Sequence, residues 1–256
     1  MSYPSDVNDN EWLEIKDFFE SEHPGRPWKY ARRDIYNAIR YVQRSGCQWR
    51  MLPKEFPPWS VVYITFYRLS MRGVWQKIQD HLREKVREKC EKNPCPSVAI
   101  IDTQSVKTVQ KGKQRGYDAH KKVKGRKRHI AVDTLGLVLA VVVHSAGISD
   151  SRGAHILLTK LFRFFPHLLK ILCDAGYKSG VITWAKAMFG YVVEVVNRFE
   201  AHTFAVLPKR WIVERTFGWI ILQRRLAKDY EHNPKISENM IYISASTLAL
   251  RRLHPL

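Results

Sequence analysis

Three acidic side chains in this sequence stand where carboxylates could do metal chemistry. Asp102 closes the apolar run Val98-Ala99-Ile100-Ile101, Asp174 closes a second run from Leu168 to Cys173, and Glu214 lies in a helical stretch further on. Runs of that length and composition are expected as β-strands. If the two are neighbours in one sheet, their carboxylates emerge at the same edge, close together. Like charges held that close repel unless a cation sits between them. The natural guest is Mg²⁺, which takes hard oxygen ligands in octahedral geometry, with Mn²⁺ as a substitute. Two such ions about 3.5–4 Å apart activate an attacking oxygen and stabilise a leaving one, the arrangement for in-line displacement at a phosphodiester.

Glu214 would complete the set from a helix expected over Pro208 to Leu226. Arg210 lies four residues before it, Gly218 four after and Arg225 eleven after, so all share one helical face. Gly218 costs about 1 kcal/mol of helix propensity relative to Ala, which makes sense where a helix must approach a sheet or a DNA backbone closely. An exposed face with intrahelical ion pairs is the other reading of that stripe. Single acids are weak signals, because an Asp at a strand end is usually a turn or cap residue. Asp133 is assigned to a turn, Asp150 to a helix cap and Asp118 to a loop. The joint placement of the other three, beside much positive charge, sets them apart.

That charge is large: 43 Lys and Arg against 24 Asp and Glu give a formal +19. Such an excess calls for a polyanionic partner, nucleic acid or an acidic membrane surface. No long apolar span and no secretory leader is evident, since the first 22 residues are acidic and polar. The densest basic stretch runs from Lys111 to Arg128 and includes Lys113, Arg115, Lys121, Lys122, Lys124, Arg126 and Lys127, with Gly112, Gly116 and Gly125 between them. It follows the Asp102 strand, so it is expected at the mouth of the site, making salt-sensitive phosphate contacts. A nuclear-localisation tract is the rival, and nothing else in the chain argues for it. The four cysteines, Cys47, Cys90, Cys95 and Cys173, lack the spacing of a zinc site and read as reduced thiols of a cytoplasmic protein. His144, His155 and Cys173 read as packing residues.

The elements that must position these residues fall in two groups. Ile35, Ala38, Ile39 and Val42 make one helical stripe, Val62, Phe66 and Leu69 a second, and Trp75, Ile78, Leu82 and Val86 a third. Arg32, Arg33, Arg40, Arg44 and Arg50 on these helices suggest a small DNA-binding bundle over residues 1–90, with a structural cap bearing a solvated basic face as the alternative. Glu91 to Pro96 is the candidate linker. Beyond it, over 97–256, come a strand, a hairpin turning at Asp133–Gly136, a helix from about Arg152 to Phe165, the Asp174 strand, a helix over Val181–Phe189, a strand over Tyr191–Val196, the Glu214 helix and a last helix over Ser237–Leu253. The fold class is α/β: a ribonuclease H-like mixed sheet with flanking helices, its first and fourth strands side by side, preceded by a small all-α domain.

Four motifs in order carry a family likeness: Gly46-Cys47-Gln48-Trp49-Arg50-Met51-Leu52-Pro53, Ile101-Asp102-Thr103-Gln104-Ser105-Val106-Lys107, Lys121-Lys122-Val123-Lys124-Gly125-Arg126-Lys127-Arg128-His129-Ile130 and Val213-Glu214-Arg215-Thr216-Phe217-Gly218-Trp219. Through them the chain, from about Trp12 to Leu253, resembles transposases of small bacterial insertion sequences in the IS-five group. The resemblance implies a DDE enzyme whose acids are Asp102, Asp174 (in Asp174-Ala175-Gly176-Tyr177) and Glu214, and whose N-terminal helices bind the element's ends. In the broader group a Tyr and an Arg precede the Glu and a Lys follows it. Here Arg210 matches, Leu207 and Ile221 replace the other two, and Arg224 or Arg225 could take over the basic role.

The implied reaction is cut-and-paste transfer of double-stranded DNA, cutting at terminal inverted repeats and joining to target DNA. It uses two Mg²⁺ and at least a dimer, in the bacterial cytoplasm and associated with the nucleoid. The expected DNA contacts are Lys121, Lys122, Lys124, Arg126, Lys127, Arg128, Arg210, Arg225, Arg32, Arg33, Arg40 and Arg44. A ribonuclease H-like nuclease that only hydrolyses, and a DNA-binding relic that has lost catalysis, are the alternatives.

Overall fold

The computed structural model describes residues 3–20, 28–109, 114–174, 176–177, 179–196 and 210–255. Four helices come first: α1 (Asp9–Ile15), α2 (Arg32–Ser45), α3 (Trp59–Met71) and α4 (Val74–Lys89). A capping box starts α1, with the Asn8 side chain accepting from Glu11 N–H and the Glu11 carboxylate accepting from Asn8 N–H. Gly46 ends α2 at φ +73°, donating its N–H to Val42 O at 2.9 Å. That left-handed conformation suits glycine. All three apolar stripes expected from the sequence lie on these helices and face inward.

The remaining elements are β1 (Val98–Lys107), β2 (Gly116–Asp118), β3 (Val123–Val132), β4 (Val138–Ser145), α5 (Asp150–Phe164), β5 (Lys170–Asp174), α6 (Ser179–Phe189), β6 (Val192–Val196), α7 (Arg210–Ile221) and α8 (Pro234–Leu253). β1 pairs antiparallel with β3, and β3 antiparallel with β4, while β5 lies parallel between β1 and β6. The short β2 shares with β4 the outer edge of β3. Three antiparallel strands flanked by two parallel ones, with helical crossovers, make this the ribonuclease H-like sheet. The first and fourth of the expected strands, β1 and β5, are neighbours.

Three details differ from expectation. β2 had no signal in the sequence. β1 does not stop at Asp102 but runs on to Lys107, because Thr103 to Lys107 continue to pair with β3. The long helix expected through Leu226 breaks after Ile221. Leu222 N–H still bonds Gly218 O at 3.3 Å, Gln223 then turns extended, and Arg224–Leu226 form a separate 3₁₀ turn.

Strand alternation divides the core into two layers. Ile100, Ile130, Val141 and Leu172 point to the side of α4, α7 and α8, and Ala99, Ile101, Ala131 and Ile171 point to α5 and α6. The first layer also contains Ile15, Ile35, Phe66 and Trp75, so the N-terminal helices and the sheet share one hydrophobic core. The stretches expected as separate domains, 1–90 and 97–256, are packed together around α8. Gln43 Nε2 donates to Met240 O at 2.6 Å, and Gln79 Nε2 donates to Val138 O at 3.3 Å.

A buried ion pair fixes the same junction. Arg87 Nη1 of α4 donates to Asp133 Oδ2 at 2.5 Å, and Asp133 Oδ1 accepts the Leu135 and Leu137 N–H groups at 2.9 Å each. Asp133 therefore has the turn role expected of it and also anchors α4. Removing one partner of a buried pair strands the other charge away from water. Asp133→Ala is expected to lower unfolding free energy by about 3–5 kcal/mol, checked by urea titration.

Candidate active site

The pairing of β1 with β5 sets the geometry. The parallel ladder runs from the Val98 and Lys170 pair to the Ile100 and Leu172 pair, and Asp102 and Asp174 each lie two residues beyond its last pair on neighbouring strands. Both share the parity of Ile100 and Leu172 and so point to the α7 side of the sheet. Each is held by a backbone amide: Asp102 Oδ1 accepts from Thr103 N–H at 2.7 Å, and Asp174 Oδ1 from Gly176 N–H at 3.0 Å. Both are half-buried. Gly176 matters at that turn, since a Cβ there would stand 3.0 Å from Asp174 Oδ1. Both carboxylates also act on one buried phenol. Burial first, then Asp102 and Asp174, hold the Tyr177 hydroxyl well above its ordinary pKa, against the opposing hydrogen bond with Thr103.

Two hard-oxygen side chains in register on neighbouring strands fit a divalent cation in charge and donor type. Glu214 is delivered by α7, which packs over β1, β3 and β5 through Ile212, Val213, Phe217 and Ile220. Its own side chain is on the exposed part of that helix. Among the described residues no three His, Cys, Asp or Glu side chains gather closely enough to hold an ion. The structure brings the two aspartates together and sets Glu214 on the helix above their face, without closing the triad.

Beneath the aspartates, on the opposite face, lies a buried polar layer that sequence reasoning missed. Thr103 Oγ1 is 2.9 Å from both His129 Nδ1 and Tyr177 Oη. The His129 ring lies 4.8 Å from that of His144. Burial, with His144, Lys127 and Lys121 adding, pushes the His129 pKa down to about 3. Burial likewise lowers His144. Gly153 of α5 covers both rings so closely that an added Cβ would land on their Nε2 atoms. The signal was present, since Thr103 and His129 fall inside the quoted motifs, but only the register shows that they meet.

The basic residues separate by burial. Arg126 is enclosed, its Nη1 donating to Glu231 O at 2.7 Å and Asp229 Oδ2 at 3.2 Å, and its Nη2 to His232 O at 2.6 Å. Arg128 is 1% exposed and donates from Nη1 to Leu226 O at 2.7 Å, and burial lowers its pKa to about 10. Lys127 is paired with Asp150 at 2.9 Å and Asp118 at 3.6 Å. The physical reason is that β3 is an inner strand covered on both faces, so its side chains are buried whatever their charge. Arg225 is also enclosed, bonded to Glu231 Oε1 at 2.8 Å, and the break after Ile221 removes it from the Glu214 helix.

Arg40 is 4% exposed near Glu11, and Arg33 donates to Asp9 at 2.5 Å. Lys121, Lys122, Lys124 and Arg44 are exposed, and Arg32 lies half-buried over the Trp28 ring. Lys111, Lys113, Leu207 and the Arg210 side chain lie outside the described residues. Asp118 is no simple loop residue. It ends β2, buried, accepting from Ser105 Oγ at 2.6 Å. Gly218 has nothing within 4 Å of an added Cβ, so no close approach to the sheet requires it.

This fold, with two aspartates paired across its central parallel strands, is matched by the family model for the transposase DDE domain over residues 93–250. The chain belongs to the DDE-domain transposases, a class of metal-dependent enzymes that cut and transfer DNA. Residues 7–79 match a second model, that of transposases of the IS4/5 family, so the N-terminal helices and the sheet point to the same group. No curated protein matches the chain. Among solved structures it is similar to the Mos1 transposase paired-end complex with left transposon end, at 12% identity over 82% of each chain. The TM-score of 0.28 is too low to bear on fold or site. Among the described residues no helix is long and apolar enough to cross a membrane.

Two predictions concern the buried layer. An unfolded imidazole titrates near 6.5 and folded His129 near 3, so between these values the unfolded chain binds a proton that the folded one does not. The stability His129 contributes is full above pH 6.5 and is lost as pH falls toward 3. Urea midpoints measured across that window should fall less steeply in His129→Gln than in the wild type. Gly153→Ala should cost about 1–3 kcal/mol by overpacking the two imidazoles, read from the thermal midpoint.

Proposed function

We propose that Asp102 and Asp174 are the first two acids of the DDE set, that Glu214 is the third, and that together they hold Mg²⁺, two ions in the working complex, which Mn²⁺ can replace. One observation supports this reading: β1 and β5 pair in parallel up to Ile100 and Leu172, and Asp102 and Asp174 each follow two residues later with the same strand parity. When bound, the metal supplies Lewis-acid polarisation of the phosphodiester and activation of the attacking oxygen. The chain supplies the rest. Backbone amides fix one oxygen of each aspartate, and the Thr103–Tyr177–His129 layer stiffens the strands that carry them. The reaction proposed is cleavage at terminal inverted repeats followed by attack of the freed 3′-hydroxyl on target DNA, in an assembly of at least two copies.

Exposed Lys121, Lys122 and Lys124 beside β2 are the phosphate contacts nearest the site, with Arg32 and Arg44 contributing from α2. Lys121 Nζ already reaches Thr103 O at 2.9 Å, which sets it close to Asp102. The helical stretch 1–90 is proposed as the end-binding part and 97–256 as the catalytic part, within a cytoplasmic, nucleoid-associated enzyme. A DNA-binding relic that has lost catalysis would keep the exposed lysines and lose metal dependence. The two readings separate in a strand-transfer assay with labelled terminal repeats, a target plasmid and Mg²⁺. Wild type should release cut ends and joined products. Asp102→Ala, Asp174→Ala and Glu214→Ala should each lose more than about 100-fold in both, given that even outer-sphere partners of a metal site cost 10–100-fold. Full activity in any of the three would refute its assignment, and cut ends without joined products would mark a hydrolase.

A further inference from the structure

The outer face of α3 is unlike the rest of the N-terminal surface. Trp59, Tyr63 and Tyr67, spaced four residues apart, form a row along one side of the helix and are 39%, 36% and 42% exposed. Tyr63 and Tyr67 have ring centroids 6.4 Å apart, and Tyr63 packs edge-on against Trp49 at 5.3 Å. The α3 sequence contains no acidic residue, and exposed Arg50, Arg68 and Arg72 border it, Arg50 lying 5.3 Å above the Trp59 ring. Rings this large are mostly buried in folded proteins, so a row of them more than a third exposed among arginines is the kind of patch that marks a contact surface. Its charge fits a polyanion.

Through Trp49 the row neighbours the turn that follows the Glu214 helix. Arg44 Nη1 of α2 reaches Leu222 O at 3.4 Å, just beyond α7. Arg225, in the turn that follows, lies 5.9 Å from the Trp49 ring against which Tyr63 packs. Phosphates satisfy the arginines, but in an intact duplex the flat faces of the bases are stacked and offer the rings nothing. An unpaired base offers both.

Resting on the transposase reading, we propose that the α3 face grips single-stranded or frayed DNA leaving the active site, with Trp59, Tyr63 and Tyr67 stacking on unpaired bases and Arg50 and Arg68 contacting phosphates. The test is fluorescence anisotropy in EDTA with two probes of one sequence, a blunt duplex and the same duplex with a 6-nucleotide single-stranded tail. Wild type should bind the tailed probe more tightly. Trp59→Ala and Tyr67→Ala should each weaken the tailed probe roughly tenfold, leave the blunt probe unchanged, and leave the dependence of log Kd on log salt unchanged. Trp59→Phe should restore binding, which separates loss of the ring from loss of the fold. Arg68→Ala should weaken both probes and reduce the salt slope by roughly one.

Equal binding of the tailed probe by wild type and both alanine variants would overturn the proposal while leaving the transposase reading intact. Alanine variants that turn a dimer into a monomer in sedimentation, with DNA affinity unchanged, would overturn it in favour of a contact between copies. A wild type that binds neither probe would overturn both readings.

Discussion

The parallel pairing of β1 with β5 governs the whole arrangement, because it carries Asp102 and Asp174 on neighbouring strands. Ile100 pairs with Leu172, and Asp102 and Asp174 follow two residues later with the same strand parity. A one-residue slip would turn one of them to the α5 face, among Ala99, Ile101 and Cys173. Such a slip would push a carboxylate into the apolar layer under α5 and α6, and the cost of burying it there opposes the slip. Sheet, crossover helices and core layers all serve to maintain that register.

Most of the fold was legible because the sequence obeys simple periodicities. The helical stripes at Ile35–Val42 and Trp75–Val86 and the hairpin turn at Asp133–Gly136 each follow from local chemistry. Placing β1 beside β5 followed from the order of strands and helices, which is that of a ribonuclease H-like sheet. What could not be read locally was where an element ends when tertiary contacts decide it. β1 continues past Asp102 because β3 offers partners for Thr103 to Lys107, not because those residues are apolar. The end of α7 at Ile221 is set by neighbours that draw Arg225 inward toward Glu231 and Cys47 O.

The basic stretch gives the clearest lesson about the site. Nine cations between Lys111 and Arg128 read as one DNA-facing surface, yet pairing along β3 separates them. Lys122 and Lys124 fall where the strand begins and remain in solvent, while Arg126, Lys127 and Arg128 fall where both faces are covered. Two of these side chains become hydrogen-bond donors for carbonyls of residues 226–232, which an irregular segment leaves without secondary-structure partners. Charge density alone could not distinguish a cation that binds a ligand from one that satisfies the backbone. Burial pattern could, once the strand was known to be central.

The position of α8 has a consequence for how the two halves hold together. Its buried residues support the sheet through Tyr242, whose hydroxyl accepts from Val141 N–H at 3.1 Å, and support the N-terminal helices through Met240, whose carbonyl accepts from Gln43. Neither the sheet nor the N-terminal helices have a complete core without residues 234–253. Loosening α8 therefore weakens both at once, and the two halves are expected to unfold as one cooperative unit.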